Sequence, residues 1–297
     1  MKKILFGLVG VTALTTAAAG VLYRTYLKTD KVKFGEEPLK EWLDWAETIE
    51  YKDYYISSRD GLFLHGVSMY NNTDSWVILA HGYDSKWQGM LGYARMFYER
   101  GYSVFIPDQR GYGLSGDNET TMGHYERLDM IDWANMLIKD LGAQNIVMFG
   151  VSMGAATVML MSGEKLPPQV KAFIEDCGYS SVKEEFEYNM KQIVHMPPYP
   201  TLLICSAMTQ VRKGWSIMSD ADCVKAVSRA KLPFLFIHGS ADTFVPFFML
   251  DKVFNACSSP EKEKLVVDRA KHTEAYGKAP ELYEKTVFGF LERALNK

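Results

Sequence analysis

The feature that most constrains this chain is an alternation. Short apolar runs take turns with longer stretches whose apolar residues fall at helical spacing. The runs are "SWVILAHG" (75–82), "SVFIPD" (103–108), "NIVMFGV" (145–151), "VKAFIED" (170–176), "PFLFIHG" (233–239) and "KLVVD" (264–268). Between and after them come "LGYARMFYERGY", "ERLDMIDWANMLIKDLG", "AATVMLMSG" and "ELYEKTVFGFLERALNK", with stop glycines at Gly101 and Gly142. A strand that is apolar along its whole length has to be covered on both faces, and strands alternating with helices predict a parallel sheet. Ahead of these, "YKDYYISS" and "LFLHGVSMY" flank Arg59-Asp60-Gly61 and read as a hairpin, which adds an antiparallel edge. The expected class is α/β: a mostly parallel sheet of about eight strands, flanked by helices, in one domain over residues 51–297.

The first fifty residues are of a different kind. Lys2 and Lys3 precede an uncharged stretch from Ile4 to Tyr23, and Arg24 and Lys28 follow it. About 20 apolar residues suffice to cross roughly 30 Å of hydrocarbon. Residues 1–27 are therefore expected to anchor the chain in a bacterial cell membrane, with residues 4–23 in contact with lipid. A secretory signal cleaved near Ala17-Ala18-Ala19 is the rival, although such signals have apolar cores of only about 7–15 residues. Basic residues on both flanks leave the orientation open. Residues 28–50 read as a charged connector carrying Trp42 and Trp45 on a short amphipathic helix. A net charge of −3 offers no basic surface, so nucleic acid is not an expected partner. The four cysteines, Cys177, Cys205, Cys223 and Cys257, show neither a C-x-x-C pair nor metal-ligand spacing and read as buried thiols.

In open α/β sheets, ligand sites lie beyond the carboxyl ends of the strands. The residues expected there are His81, Gly82 and Tyr83; Asp108 and Arg110; Ser152; Asp176; His238 and Asp242; and His272. Gly150-Val151-Ser152-Met153-Gly154 has the form G-x-S-x-G between a strand and a helix. It resembles the nucleophile elbow of the α/β-hydrolases, a sharp strained turn that projects its serine clear of the sheet. Gly150 and Gly154 then supply room for strand and helix to approach closely. A serine hydroxyl needs a base to take its proton during attack. His65 lies within an early strand, His81 and His238 precede glycines at strand ends, His124 begins a helix, and His195 lies in an irregular segment. His272 alone follows the last strand, as the order Ser…Asp/Glu…His requires. Asp242, after the penultimate strand, is the expected acid; Asp176, one strand earlier, is its rival.

"LAHGYDS", "PDQRGYGLSG", "GVSMGAA", "HGSADTFVP" and "KHTEAY" together make the chain similar to bacterial α/β-hydrolase proteins related to serine aminopeptidases, dienelactone-type hydrolases and small esterases. The resemblance runs from about residue 52 to the C-terminus. It implies a serine hydrolase acting on a small-molecule ester or acyl substrate, with a Ser152–His272–Asp242 triad and neither cofactor nor metal. It also implies an oxyanion hole from the backbone N–H groups of Tyr83 and Met153, and a structural role for Asp108 and Arg110. Residues of about 180–230 depart from the plain fold as a cap-like insertion. There Met190, Met196, Tyr199 and Trp215 are expected to line an acyl pocket, with plain core as the competing reading. Pro197, Pro198 and Pro200 are expected to break any long helix in it. A peptidase of the same fold and a non-catalytic membrane-tethered binding protein are the alternatives.

Overall fold

A computed structural model describes residues 15–29 and 39–295. Eight strands form one sheet: β1 (Tyr51–Ser57), β2 (Phe63–Met69), β3 (Ser75–Ala80), β4 (Ser103–Pro107), β5 (Asn145–Val151), β6 (Val170–Asp176), β7 (Phe234–Gly239) and β8 (Lys262–Val267). Their spatial order is β1-β2-β4-β3-β5-β6-β7-β8. β1 pairs antiparallel with β2 as the expected hairpin, Tyr51 opposite Met69 and Ser57 opposite Phe63. β2 pairs antiparallel with β4, and every later pair is parallel.

The helices are α1 (residues 15–26), α2 (Lys40–Glu47), α3 (Leu91–Tyr98), α4 (Glu126–Leu141), α5 (Met153–Met161), α6 (Val182–Gln192), α7 (Thr201–Lys213), α8 (Cys223–Val227), α9 (Phe248–Ala256), α10 (Ala275–Lys278) and α11 (Pro280–Leu295). The continuous apolar strands follow from the two-sided cover. Along β3, Trp76, Ile78 and Ala80 enter one core layer while Val77 and Leu79 enter the other; β5 divides Ile146 and Met148 from Val147 and Phe149 in the same way. The first layer is closed by α4, α5, α8 and α9, the second by α2, α3, α10 and α11. α4 ends where Gly142 takes a left-handed conformation at φ 70°, as its stop-glycine position predicts.

The connector helix α2 lies against the body. Trp42 occupies the space a side chain at Gly92 would need, and the Trp45 ring meets Tyr98 edge-on at 5.9 Å.

The membrane-anchor expectation for residues 4–23 meets a different arrangement. Residues 4–14 lie outside the described residues. From residue 15 onward one face of the stretch packs on protein, with Ala19, Leu22, Tyr23 and Leu27 buried in the first core layer, while Val21 on the other face is 64% exposed. The Tyr23 hydroxyl donates to Glu119, which also binds Lys28 at 2.8 Å and Arg212 at 2.7 Å. Burial pushes the Glu119 carboxyl up, but hydrogen bonds from Lys28, Tyr23 and Arg212 outweigh it and hold the group down at about 2. Side chains packed this way are not available to lipid. Among the described residues, no helix is long and apolar enough to cross a membrane.

Between β6 and β7 the chain forms α6, α7 and α8, with the three prolines in the break between α6 and α7. α6 and α1 meet beside the sheet's carboxyl end, where the Tyr26 and Phe186 rings stand 5.9 Å apart.

Candidate active site

Ser152 sits between the last residue of β5 and the first of α5. Its backbone has a positive φ outside the left-handed helical region (φ 56°, ψ −117°), a strained conformation for a residue with a Cβ. The turn is held by Ser152 N–H donating to the Asp176 carbonyl at 2.8 Å. The two motif glycines make it sterically possible. A Cβ on Gly150 would stand 2.1 Å from the Gly154 carbonyl oxygen, and one on Gly154 would stand 2.0 Å from that of Ala80.

The loops after β7 and β8 bring two more side chains to this point. Ser152 Oγ lies 2.9 Å from His272 Nε2, and His272 Nδ1 lies 2.7 Å from Asp242 Oδ2. Asp242 Oδ1 accepts the Phe244 and Val245 amides, each at 2.9 Å, which fixes the carboxylate on its own loop. His238 Nε2 is shared between Val245 O at 2.9 Å and Asp242 Oδ2 at 3.3 Å. His238, expected only as a residue preceding a glycine at a strand end, therefore stands directly behind Asp242. No spacing rule marks that contact in the sequence, because it depends on how the loop folds back.

Burial pushes the Asp242 carboxyl up, but hydrogen bonds from His238 and His272, together with their charge, hold it down at about 2. Free Asp titrates near 3.9. Asp242 therefore contributes stability above about pH 4 and loses it as pH falls toward 2, an effect of about 2 kcal/mol. Asp242→Asn is expected to be less stable than the wild type at pH 6, with the gap closing between about pH 4 and pH 2. Urea midpoints across that range check this; a constant gap would contradict it.

Asp176, the rival acid, is turned elsewhere. Its Oδ2 accepts the Tyr283 hydroxyl at 2.7 Å, and burial pushes its carboxyl up to about 6. His81 fixes the loop after β3: Nδ1–H donates to Gly82 O at 2.7 Å, and Nε2 accepts the Gln109 amide at 2.9 Å. Burial holds this imidazole below its usual range and so keeps it neutral, as an accepting Nε2 requires. The loop presents Tyr83 beside the elbow, and neither the Tyr83 nor the Met153 backbone N–H meets an acceptor among the described residues. Asp108 and Arg110 are built into the scaffold. Asp108 Oδ2 binds His65 Nδ1 at 2.7 Å, and Arg110 pairs with Asp129 at 2.6 Å.

Ser152 opens into a largely apolar pocket. Met190 lines it as expected, but Met196, Tyr199 and Trp215 do not. Met196 and Tyr199 lie in the break between α6 and α7 and are 40% and 42% exposed. Trp215 is core, stacked on His124 at 6.0 Å. Their places on the wall are taken by residues the sequence reading missed: Leu22 and Tyr26 from α1, Tyr179 after β6, and Glu185, Phe186 and Asn189 from α6. For Leu22 and Tyr26 the available signal was their i, i+4 spacing, hidden inside and just after an uncharged stretch.

Cys177 is the third member of a possible donor set, its sulfur within 4.8 Å of ligand atoms on Asp242 and His272. The set does not suit a metal. Both His272 ring nitrogens are engaged, and burial pushes the Cys177 thiol well up, away from the thiolate a metal would need.

Sheet order, elbow and loop positions together define the α/β-hydrolase fold. A family model described as alpha/beta hydrolase fold matches residues 62–200. The uncharacterised protein YqkD of Bacillus subtilis is 26% identical, the match covering 98% of each chain. Among solved structures, the esterase Pf2001 of Pyrococcus furiosus superposes with TM-score 0.70 at 25% identity, covering 88% of this chain and 96% of that one. A bacterial membrane phospholipase A shares the fold at TM-score 0.61 and 16% identity over the whole of both chains.

Proposed function

We propose that the protein is a serine hydrolase that cleaves carboxylic esters with an apolar acyl group. The observation that carries this reading is the hydrogen-bonded chain Ser152–His272–Asp242 at the mouth of the apolar pocket. The esterase activity named for the Pyrococcus relative supports the same direction.

In the proposed cycle, Ser152 Oγ attacks the ester carbonyl carbon while its proton passes to His272 Nε2. The carbonyl electron pair moves onto oxygen, which the Tyr83 and Met153 amides receive; Met153 opens α5, where the helix dipole favours negative charge. The intermediate collapses, the carbon–alkoxide bond breaks, and His272 returns the proton to the departing oxygen. Water then repeats the sequence on the acyl-enzyme, releasing the carboxylic acid and restoring Ser152. Asp242 orients the imidazole and offsets its positive charge throughout.

Initial rates on p-nitrophenyl esters of increasing chain length, set against aminoacyl nitroanilides, test the reading. Ester turnover with a medium-chain optimum is expected. Faster nitroanilide cleavage would favour a peptidase, and no turnover of either would favour a binding protein. Leu22 on the pocket wall gives a sharper check. Leu22→Trp is expected to lower kcat/KM for the octanoyl ester by about 10-fold or more, through lost pocket volume, while sparing the acetyl ester. An equal loss on both esters would remove α1 from the acyl site.

The membrane attachment expected through residues 4–23 is proposed to rest on residues 4–14 alone, as association with the bilayer and not a crossing, since Ala19, Leu22 and Tyr23 are buried in protein and about 20 apolar residues are needed to span. Co-sedimentation of the full chain with lipid vesicles, lost on deletion of residues 1–14, is the expected result; no sedimentation of the full chain would reject it.

A further inference from the structure

The acyl pocket is not apolar throughout. Glu185 and Asn189 stand one turn apart on α6, only 3% and 9% exposed, and both line it. Asn189 Nδ2 donates to Glu185 Oε1 at 2.7 Å. That bond leaves Glu185 Oε2 and Asn189 Oδ1 buried without a partner among the described residues. Buried polar atoms are nearly always paired, and leaving them unpaired is costly. Two leucines would line the same wall without that cost, so the pair needs a reason. Their neighbours on the wall Leu22, Phe186 and Met190 would meet an aliphatic chain equally well from any side and select nothing polar on it.

We propose that Glu185 and Asn189 form a polar subsite that recognises a hydroxyl group carried on the acyl chain of the substrate. The hydroxyl donates to Asn189 Oδ1 and accepts from the protonated Glu185 carboxyl at Oε2. The assignment rests on the hydrolase reading above and adds the class of acyl group.

The local electrostatics agree with it. Burial pushes the Glu185 carboxyl up to about 8, and the charges of Asp242 and Glu184 add to this, while the Asn189 hydrogen bond and the charge of His238 oppose it. At neutral pH the group is an acid that bears a hydrogen. An acid O–H beside an amide oxygen presents one donor and one acceptor, the complement of a hydroxyl. An ammonium group would instead require Glu185 to ionise within an apolar wall, against two neighbouring carboxylates.

The test compares p-nitrophenyl octanoate with its monohydroxy isomers at successive chain positions. The wild type is expected to favour one isomer over the plain ester by about 10-fold in kcat/KM, the scale of one well-placed buried hydrogen bond. Glu185→Leu and Asn189→Leu are each expected to abolish that preference. Glu185→Gln, whose amide also offers a donor, is expected to keep most of it. A wild type that favours the plain ester against every isomer would overturn the proposal, as would an unchanged preference in both leucine variants.

Calorimetric binding of octanoate and the hydroxyoctanoates to the wild type and the same variants reads the subsite without turnover. Failure of ester hydrolysis alone would reject the hydrolase reading, while tighter binding of one hydroxyoctanoate would still uphold the subsite. Equal binding of all these acids would sink it.

Discussion

Exchanging Ser152 for alanine is expected to lower kcat for an acyl ester by about 10⁴ to 10⁶ while leaving the fold in place. The size follows from what Ser152 is proposed to do, since without an oxygen at that position no acyl-enzyme forms. The intact fold follows from what its side chain touches. Its hydroxyl makes one hydrogen bond, to His272 Nε2, on the open side of the site. The strained turn is held by backbone: the amide bond to Asp176 and the close packing of Gly150 and Gly154. Alanine tolerates φ 56° about as poorly as serine does, so the urea midpoint should move little. Adding His272→Ala to Ser152→Ala should cost almost nothing more, because residues acting as one unit are not additive. A double variant slower than the single by another factor of 10³ would show that the two act separately.

Gly150→Ala is expected to destabilise the protein by about 3 kcal/mol or more, and Gly154→Ala by a similar amount. The added methyl meets backbone in each case: the Gly154 carbonyl at 2.1 Å for Gly150, and the Ala80 carbonyl at 2.0 Å for Gly154. A flexible side chain could swing away from such a contact. These carbonyls belong to β3 and α5, so relief would require the helix to lift off the sheet. Both variants should lose their thermal transition or show it at much lower temperature, and any residual folded fraction should lose activity because Ser152 moves with α5. Native-like midpoints for both would show that the elbow is looser than these distances allow.

The sheet was legible because each central strand is buried on both faces and is therefore written as an unbroken apolar run. The meeting of Ser152, His272 and Asp242 was legible for a related reason: each lies on the turn or loop that leaves a strand, and parallel strands place their carboxyl ends together. The pocket wall was not legible. A methionine or aromatic residue at helical spacing says that some face is buried but not which one, so Met190 reached the pocket while Trp215 went to the core and Met196 and Tyr199 to the surface. α1 was hidden by the same ambiguity. The apolar side chains of Ala19 and Leu22 satisfy lipid and protein core equally well, and only the three-dimensional packing around Glu119 and Tyr23 decides between them. Glu185 was hidden by its setting in "VKEEFEYNM", where a glutamate reads as solvent-facing although the helix turns it inward.

The central claim is that Ser152 is an activated nucleophile, and labelling with a fluorophosphonate probe tests it most directly. Wild-type protein should be labelled covalently, with Ser152 carrying the adduct. Ser152→Ala should not be labelled, and labelling of His272→Ala should be greatly slowed. A folded wild-type protein that resists the probe, or one labelled equally well without His272, would contradict the account.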